Sequence, residues 1–244
     1  VSTTVHQVIA ELPLPQGWRW RVDVRPRRRS LGIEITHDGE VRFAVPADAD
    51  PLAVAAAVRK RLPRLAEEIR RRADRPAEPV KELVGGTSFA YLGRRYRLRP
   101  VPADPERRVR LHRGWLELPE PCDSGEGARR IAAWYTECGR DWARARMPSL
   151  ELRVGVASND VEIADLADRW GACGPNGTIA VHWAVMQLPP PLVDLVLVHE
   201  LCHLRQPGHG PAFRREMRLV LSDVDQREKR FAEEEPRLWR GRVK

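Results

Sequence analysis

The sequence predicts an α+β protein, with a β-rich N-terminal region holding one helix over residues 1–120 and a helix-dominated domain over residues 121–244. Three observations predict it. Short apolar/polar alternations fill the first half, apolar stripes of helical period dominate the second, and His199-Glu200-Leu201-Cys202-His203 closes an apolar run. A chain of 244 residues is long enough to bury a full core without depending on a metal for its fold.

After a short N-terminal arm, Trp18 to Val24, Leu31 to Ile35 and Glu40 to Val45 alternate as strands, and Asp38-Gly39 marks a hairpin turn. Three antiparallel strands are expected. Arg25 to Arg29 falls in the first connection, read as a solvated loop or, alternatively, an anion site. Val54, Val58, Leu62, Leu65 and Ile69 then recur at helical spacing between Leu52 and Asp74, and Pro63 is expected to kink or split that helix. Asp74 to Pro79 is a connector, and Ser88 to Leu98 and Arg108 to Leu118 read as hairpins. Their interleaved arginines and aromatics suit a single-strand nucleic-acid platform, but sheet alternation with solvated arginine accounts for them equally well.

Pro119 to Gly127, polar and rich in proline and glycine, marks the boundary between the two regions. A long amphipathic helix follows, with Ile131, Trp134, Tyr135, Cys138, Trp142 and Ala145 on one stripe and mixed charges opposite. Leu152 to Val156, Asp168 to Trp170 and Thr178 to Val185 read as strands, the last two joined through Gly174-Pro175-Asn176-Gly177. Gln226 to Leu238 is a charged terminal helix.

Among 42 basic residues only Lys60, Lys81, Lys229 and Lys244 are lysine, and the net charge is +8. Such a balance permits attraction to nucleic acid or another polyanion without identifying one. The four cysteines form no CxxC pair, which favours a reducing compartment. Val1 to Ala10 lacks the basic and apolar segments of a leader, and no apolar run approaches ~18 residues, so no membrane span is expected. A cytoplasmic protein is the expectation.

The chemistry concentrates at His199, Glu200 and His203. On a helix, positions four apart lie ~40° apart in projection and ~6 Å along the axis, so both imidazoles can grip one cation. Glu200, ~100° round, is poorly placed as a ligand and well placed to take a proton from a metal-held water. Gln206-Pro207-Gly208 should end this helix, and Pro211 suits the first turn of another over Ala212 to Val220. His209 therefore sits at the corner between them and can complete three ligands, the number a catalytic zinc usually keeps. A pentapeptide this short also arises by chance, and a structural zinc is the other metal reading, though such sites favour four cysteine-rich ligands. Cys202 is either a fourth ligand or a buried thiol.

The segments Asp168 to Cys173, Gly177 to Trp183, Leu188-Pro189, Val198 to Leu204 and His209 to Phe213 resemble, in order and spacing, the YgjP-like metallopeptidases. The His209-Gly210-Pro211-Ala212-Phe213 portion also resembles the SprT and Spartan proteases. The match covers about residues 160 to 220. It implies a zincin-like catalytic domain, an HExxH helix packed on a small sheet. It further implies one catalytic zinc on His199, His203 and His209, Glu200 as general base, and peptide or protein substrates. Ala172 and His182 stand where the resembled pattern carries serine and asparagine. Arg169, His182 and Arg214 are candidates for binding substrate or supporting an oxyanion, each with a structural alternative: ion pair, satisfied sheet histidine and surface charge. Two other functions remain in view: a DNA-associated protease of the SprT/Spartan kind, and a non-catalytic zinc-stabilised binding protein.

Overall fold

The computed structural model describes residues 4–26, 28–35, 40–73, 78–102, 108–120 and 122–244. It is a mixed α+β chain with three small sheets and six α-helices among the described residues. Two compact units, Val1–Pro76 and Ala77–Lys244, each hold a separate apolar core.

In the first unit, the short N-terminal arm contains helix α1, Val5–Ala10, whose N-terminus is closed by a reciprocal capping box between Thr4 and Gln7. Strands β1 (Trp20–Val24), β2 (Gly32–Ile35) and β3 (Val41–Val45) form the expected sheet in a different arrangement. β3 lies in the middle, antiparallel to β2 but parallel to β1. The antiparallel β2–β3 pair is the one expected, but alternation alone does not encode that β1 adds to the far edge of β3 in parallel. The turn at Asp38-Gly39 lies outside the described residues, as does part of the connector at 74–79. Arg25 and Arg28 both turn onto Glu34, so these two arginines of the first connection are engaged in ion pairs.

Helix α2, Pro51–Ala73, runs through Pro63 without breaking. Val54, Val58, Leu62 and Leu65 bury one continuous stripe in the core that also holds Val41, Phe43 and Val45. Packing on both sides of the proline outweighs the single lost backbone bond.

The second unit begins earlier than the 120/121 boundary expected from composition. Strands β4 (Ser88–Tyr91), β5 (Arg94–Pro102), β6 (Arg110–His112) and β7 (Trp115–Glu120) form a sheet ordered β4-β5-β7-β6. Phe89, Leu98, Leu116 and Leu118 bury in one cluster with Ile131, Tyr135 and Leu197, so these strands cannot be separated from the helices that follow. The polar stretch after β7 is a helix start, where the Asp123 carboxylate accepts from Glu126 N–H at 2.7 Å.

Helix α3, Ser124–Val154, is longer than its pattern suggested and includes Pro148. Leu152 to Val156 is therefore not a strand. Leu150 and Val154 continue the buried stripe, and Gly155, at φ 75°, caps the helix in the left-handed conformation. Ala145 faces solvent and Ala143 and Met147 face inward. Strands β8 (Asp160–Ala164), β9 (Gly171–Cys173) and β10 (Thr178–His182) form a sheet ordered β8-β10-β9, parallel for the first pair and antiparallel for the second. Asp168 to Trp170 is the turn leading into β9, and Trp183–Gln187 leaves β10 as a 3-10 turn. Three helices follow: α4 (Pro190–His203), α5 (Pro211–Val220) and α6 (Val224–Glu234). No helix is long and apolar enough to cross a membrane among the described residues.

Candidate metal centre

Helix α4 is buried on every side from Leu192 to Val198 and lies against α3, α5, α6, β9 and β10. A helix without a polar face is a core helix. The one charge within that stretch, Asp194, is 4% exposed and is met by the Arg146 guanidinium of α3 through two bonds, Nε to Oδ1 at 2.8 Å and Nη2 to Oδ2 at 2.6 Å. This bidentate pair fixes the height of α4 against α3.

Polar chemistry emerges only at the C-terminal end of α4. The Nε2 atoms of His199 and His209 are 2.9 Å apart, and each is 3.2 Å from Nε2 of His203. The helix ends as its sequence requires, and the chain returns through Gly208, His209 and Gly210 to Pro211 at the first turn of α5. The Nδ1–H of His203 donates to the Gln206 carbonyl at 2.9 Å, which leaves the Nε2 lone pair facing the other two rings. Phe213 forms a floor beneath them. Its ring lies 4.9 Å from His199, 4.7 Å from His203 and 4.9 Å from His209, and is itself buried. Behind the corner, the Arg205 guanidinium reaches the Val154 carbonyl and lies 3.2 Å from Glu216 Oε1, outside hydrogen-bonding directions for the latter.

Three nitrogens facing one another cannot satisfy each other's lone pairs, and the cluster fits a metal. Nitrogens each ~2.0–2.1 Å from a tetrahedral ion stand roughly 3.3–3.4 Å apart, close to the separations here. Among the described residues, these three histidines form the one group with metal-ligand geometry. Burial and the neighbouring rings push the His199 pKa down to about 4, so that ring is neutral and able to ligate at ordinary pH. His209 is lowered too, by burial, His203 and Arg214. Cys202 does not join the group; it is fully buried, and burial raises its thiol to about 12.

Glu200 points into a cleft of about 340 Å³ lined also by His199, Arg169, Trp170, Leu195 and Phe231. Its carboxylate is 7% exposed and packs against the backbone of β9, where Gly171 leaves room for it. Burial raises its pKa to about 7, with Arg169 pulling the other way.

The candidates Arg169, Arg214 and His182 part company here. Arg169 lines the Glu200 cleft. Arg214 lies in a separate cavity beside His209. His182 is 2% exposed: its Nδ1 accepts from Ala184 N–H at 3.0 Å, and its Nε2 lies 3.4 Å from Asp165. Burial and Arg240 lower its pKa to about 4. It caps the 3-10 turn beneath the loop at 165–170 and lines neither cavity. Sequence reasoning missed Phe213, Gln206, Gly171 and the Arg146–Asp194 pair. Only Phe213 carried a signal, standing four residues after His209 and one turn into the following helix.

Converged imidazoles next to a buried carboxylate on a mixed α+β scaffold are the makings of a metal-dependent hydrolase. The chain belongs to the YgjP-like family, since the model of the YgjP-like metallopeptidase domain matches residues 29–234. Its class is thus metallopeptidase, whose substrates are peptides. No curated protein matches the chain. Among solved structures, the metallopeptidase zymogen of Pyrococcus abyssi abylysin aligns at 24% identity over 38% of this chain and 94% of its own, with a TM-score of 0.35, too low to equate the two folds.

Proposed function

We propose that the protein is a zinc-dependent peptidase of zincin type, with one ion held by His199, His203 and His209 and with Glu200 as general base. The observation that carries this reading is the convergence of three Nε2 atoms within 3.2 Å at the edge of a cleft that also receives a buried carboxylate. An all-imidazole set of three suits zinc and leaves a coordination position for substrate chemistry. When bound there, zinc supplies Lewis acidity that polarises a carbonyl group and acidifies water.

The rest is the work of this chain's own groups. Glu200 accepts a proton from the attacking water and delivers it to the leaving amide nitrogen. A pKa raised towards neutrality suits both transfers. Arg169, on the wall of the same cleft, is the residue we assign to the negative charge that grows on the carbonyl oxygen. β9 pairs with β10 along one edge, and a substrate strand added along its other edge would bring backbone to the cleft with little demand on sequence. Packing of α4 on β9 and β10 supports the zincin reading of the fold.

Glu200→Gln tests the assignment. The variant should keep stoichiometric zinc by metal analysis and lose hydrolysis of denatured protein by ~10²–10⁴-fold. Cleavage at the wild-type rate overturns the role of Glu200. Full zinc occupancy in His199→Ala overturns the ligand set.

A further inference from the structure

Beside His209 lies a second cavity, of about 710 Å³, which Glu200 does not line and which is walled by Arg214, Arg215, Arg218 and Leu219 of α5. No carboxylate lines it. Arg218 is held by Asp225 at 3.1 Å, whereas Arg214 and Arg215 are exposed and have no acidic partner among the described residues. Leu219 is 81% exposed at the far end. The Glu200 cleft has the opposite character, with Leu195, Val196 and Phe231 on its walls and Glu228 at its rim.

We propose that this arginine-lined groove receives acidic side chains of the polypeptide being cleaved, so that bonds flanked on one side by Asp or Glu are preferred. The proposal rests on the peptidase reading above and adds a substrate class to it. His209 borders both the groove and the histidine cluster, so a chain held at the cluster continues directly over the guanidinium groups. From His209 to Arg214 and Arg218 is roughly 7–13 Å along the helix, and an extended peptide covers that in about two to four residues. A planar guanidinium pairs with a carboxylate through two parallel bonds, and no resident acid competes at Arg214 or Arg215. Nucleic acid fits less well. Two free arginines followed by Asp223 and Asp225 make a short, mixed-sign patch and not a track for a phosphate backbone.

The test separates this groove from the hydrolytic reading. Zinc-loaded Glu200→Gln protein is titrated, by fluorescence anisotropy, with a labelled peptide containing Asp and Glu, with its Asn/Gln counterpart, and with a single-stranded oligothymidylate of equal charge. The acidic peptide should bind roughly tenfold tighter than the neutral one. That difference should vanish in Arg214→Glu/Arg215→Glu, survive in Arg214→Lys/Arg215→Lys, and shrink as salt is added. Wild-type protein digesting a proteome-derived peptide mixture should show Asp and Glu enriched about two to four residues to one side of the cut. Equal binding of the two peptides, or an enrichment untouched by charge reversal, overturns the proposal. Tighter binding of the oligothymidylate overturns it in favour of nucleic acid. Acid-selective binding with no cleavage of any peptide sustains the groove and overturns the hydrolase, while cleavage without acidic preference does the reverse.

Discussion

A β-carbon built on Gly171 would lie 2.5 Å from Oε1 of Glu200. The carboxylate assigned as general base thus occupies the space that any other residue at this point of β9 would fill. The Cγ and carboxyl carbon of Glu200 would also lie within 2.8 and 2.9 Å, so a methyl group here displaces the whole buried side chain and not its carboxylate alone. Gly171→Ala should therefore lower kcat by roughly tenfold to a hundredfold, the scale of an ångström's misplacement. Zinc affinity should stay close to wild type, while Tm should fall, because the added methyl group overpacks a buried site. Steady-state kinetics with metal analysis checks this; unchanged kcat would mean that the position of the Glu200 carboxylate is not critical.

Phe213 contacts all three imidazoles at nearly equal distance. Its loss should loosen the three histidines as well as hollow the core. Phe213→Leu keeps most of the volume and should weaken zinc binding by about tenfold, measured against a competing chelator. Phe213→Ala should in addition cost about 3–5 kcal/mol in unfolding experiments.

The Arg146–Asp194 pair lies one to two turns before His199, the first of the proposed ligands. Arg146→Ala leaves a nearly inaccessible carboxylate without its partner. The arginine side chain is 40% exposed, so water partly replaces it and we expect a loss of about 2–3 kcal/mol, not the full cost of breaking a buried pair. Changing both residues together to apolar ones of similar size should recover much of that loss, with thermal denaturation as the readout.

Arg169 pulls the Glu200 pKa downwards against the larger effect of burial. A base works only when ionised, so turnover falls as pH drops through its pKa. Arg169→Gln removes a stabilising cation, raises that pKa, and should move the acidic limb of the kcat/KM profile to higher pH. A limb that stays in place while the rate falls uniformly would assign Arg169 to substrate binding alone.

The elements that bring the three histidines together were legible because they are local. Two histidines at helical spacing, a proline and glycine corner and a third histidine leave little freedom to the chain, and α4 and α5 follow from them. Non-local facts were not written there. That β1 pairs with β3 in parallel depends on which strand enters the middle of the sheet, and that Phe89 and Leu98 share a core with α3 depends on packing across many intervening residues. Some misses were misreadings of visible signals. Thr4 and Gln7 are a capping box three residues apart, Asp160 to Ala164 alternates plainly, and Leu150 and Val154 keep the period of α3 where Leu152 to Val156 also alternates. Gly171 gave no sign at all, because what matters there is an absent atom.

Helix α4, enclosed by protein from Leu192 to Val198, comes to the outside only at its two ends, the Pro190-Pro191 start and the final turn. Any drift in what the enzyme accepts must then be written on neighbouring parts, above all the solvent-facing side of α5 and the loop before β9. Those surfaces can be rewritten without disturbing the ligands. For an engineer, this makes the scaffold modular: new recognition can be grafted beside a reaction centre that stays fixed.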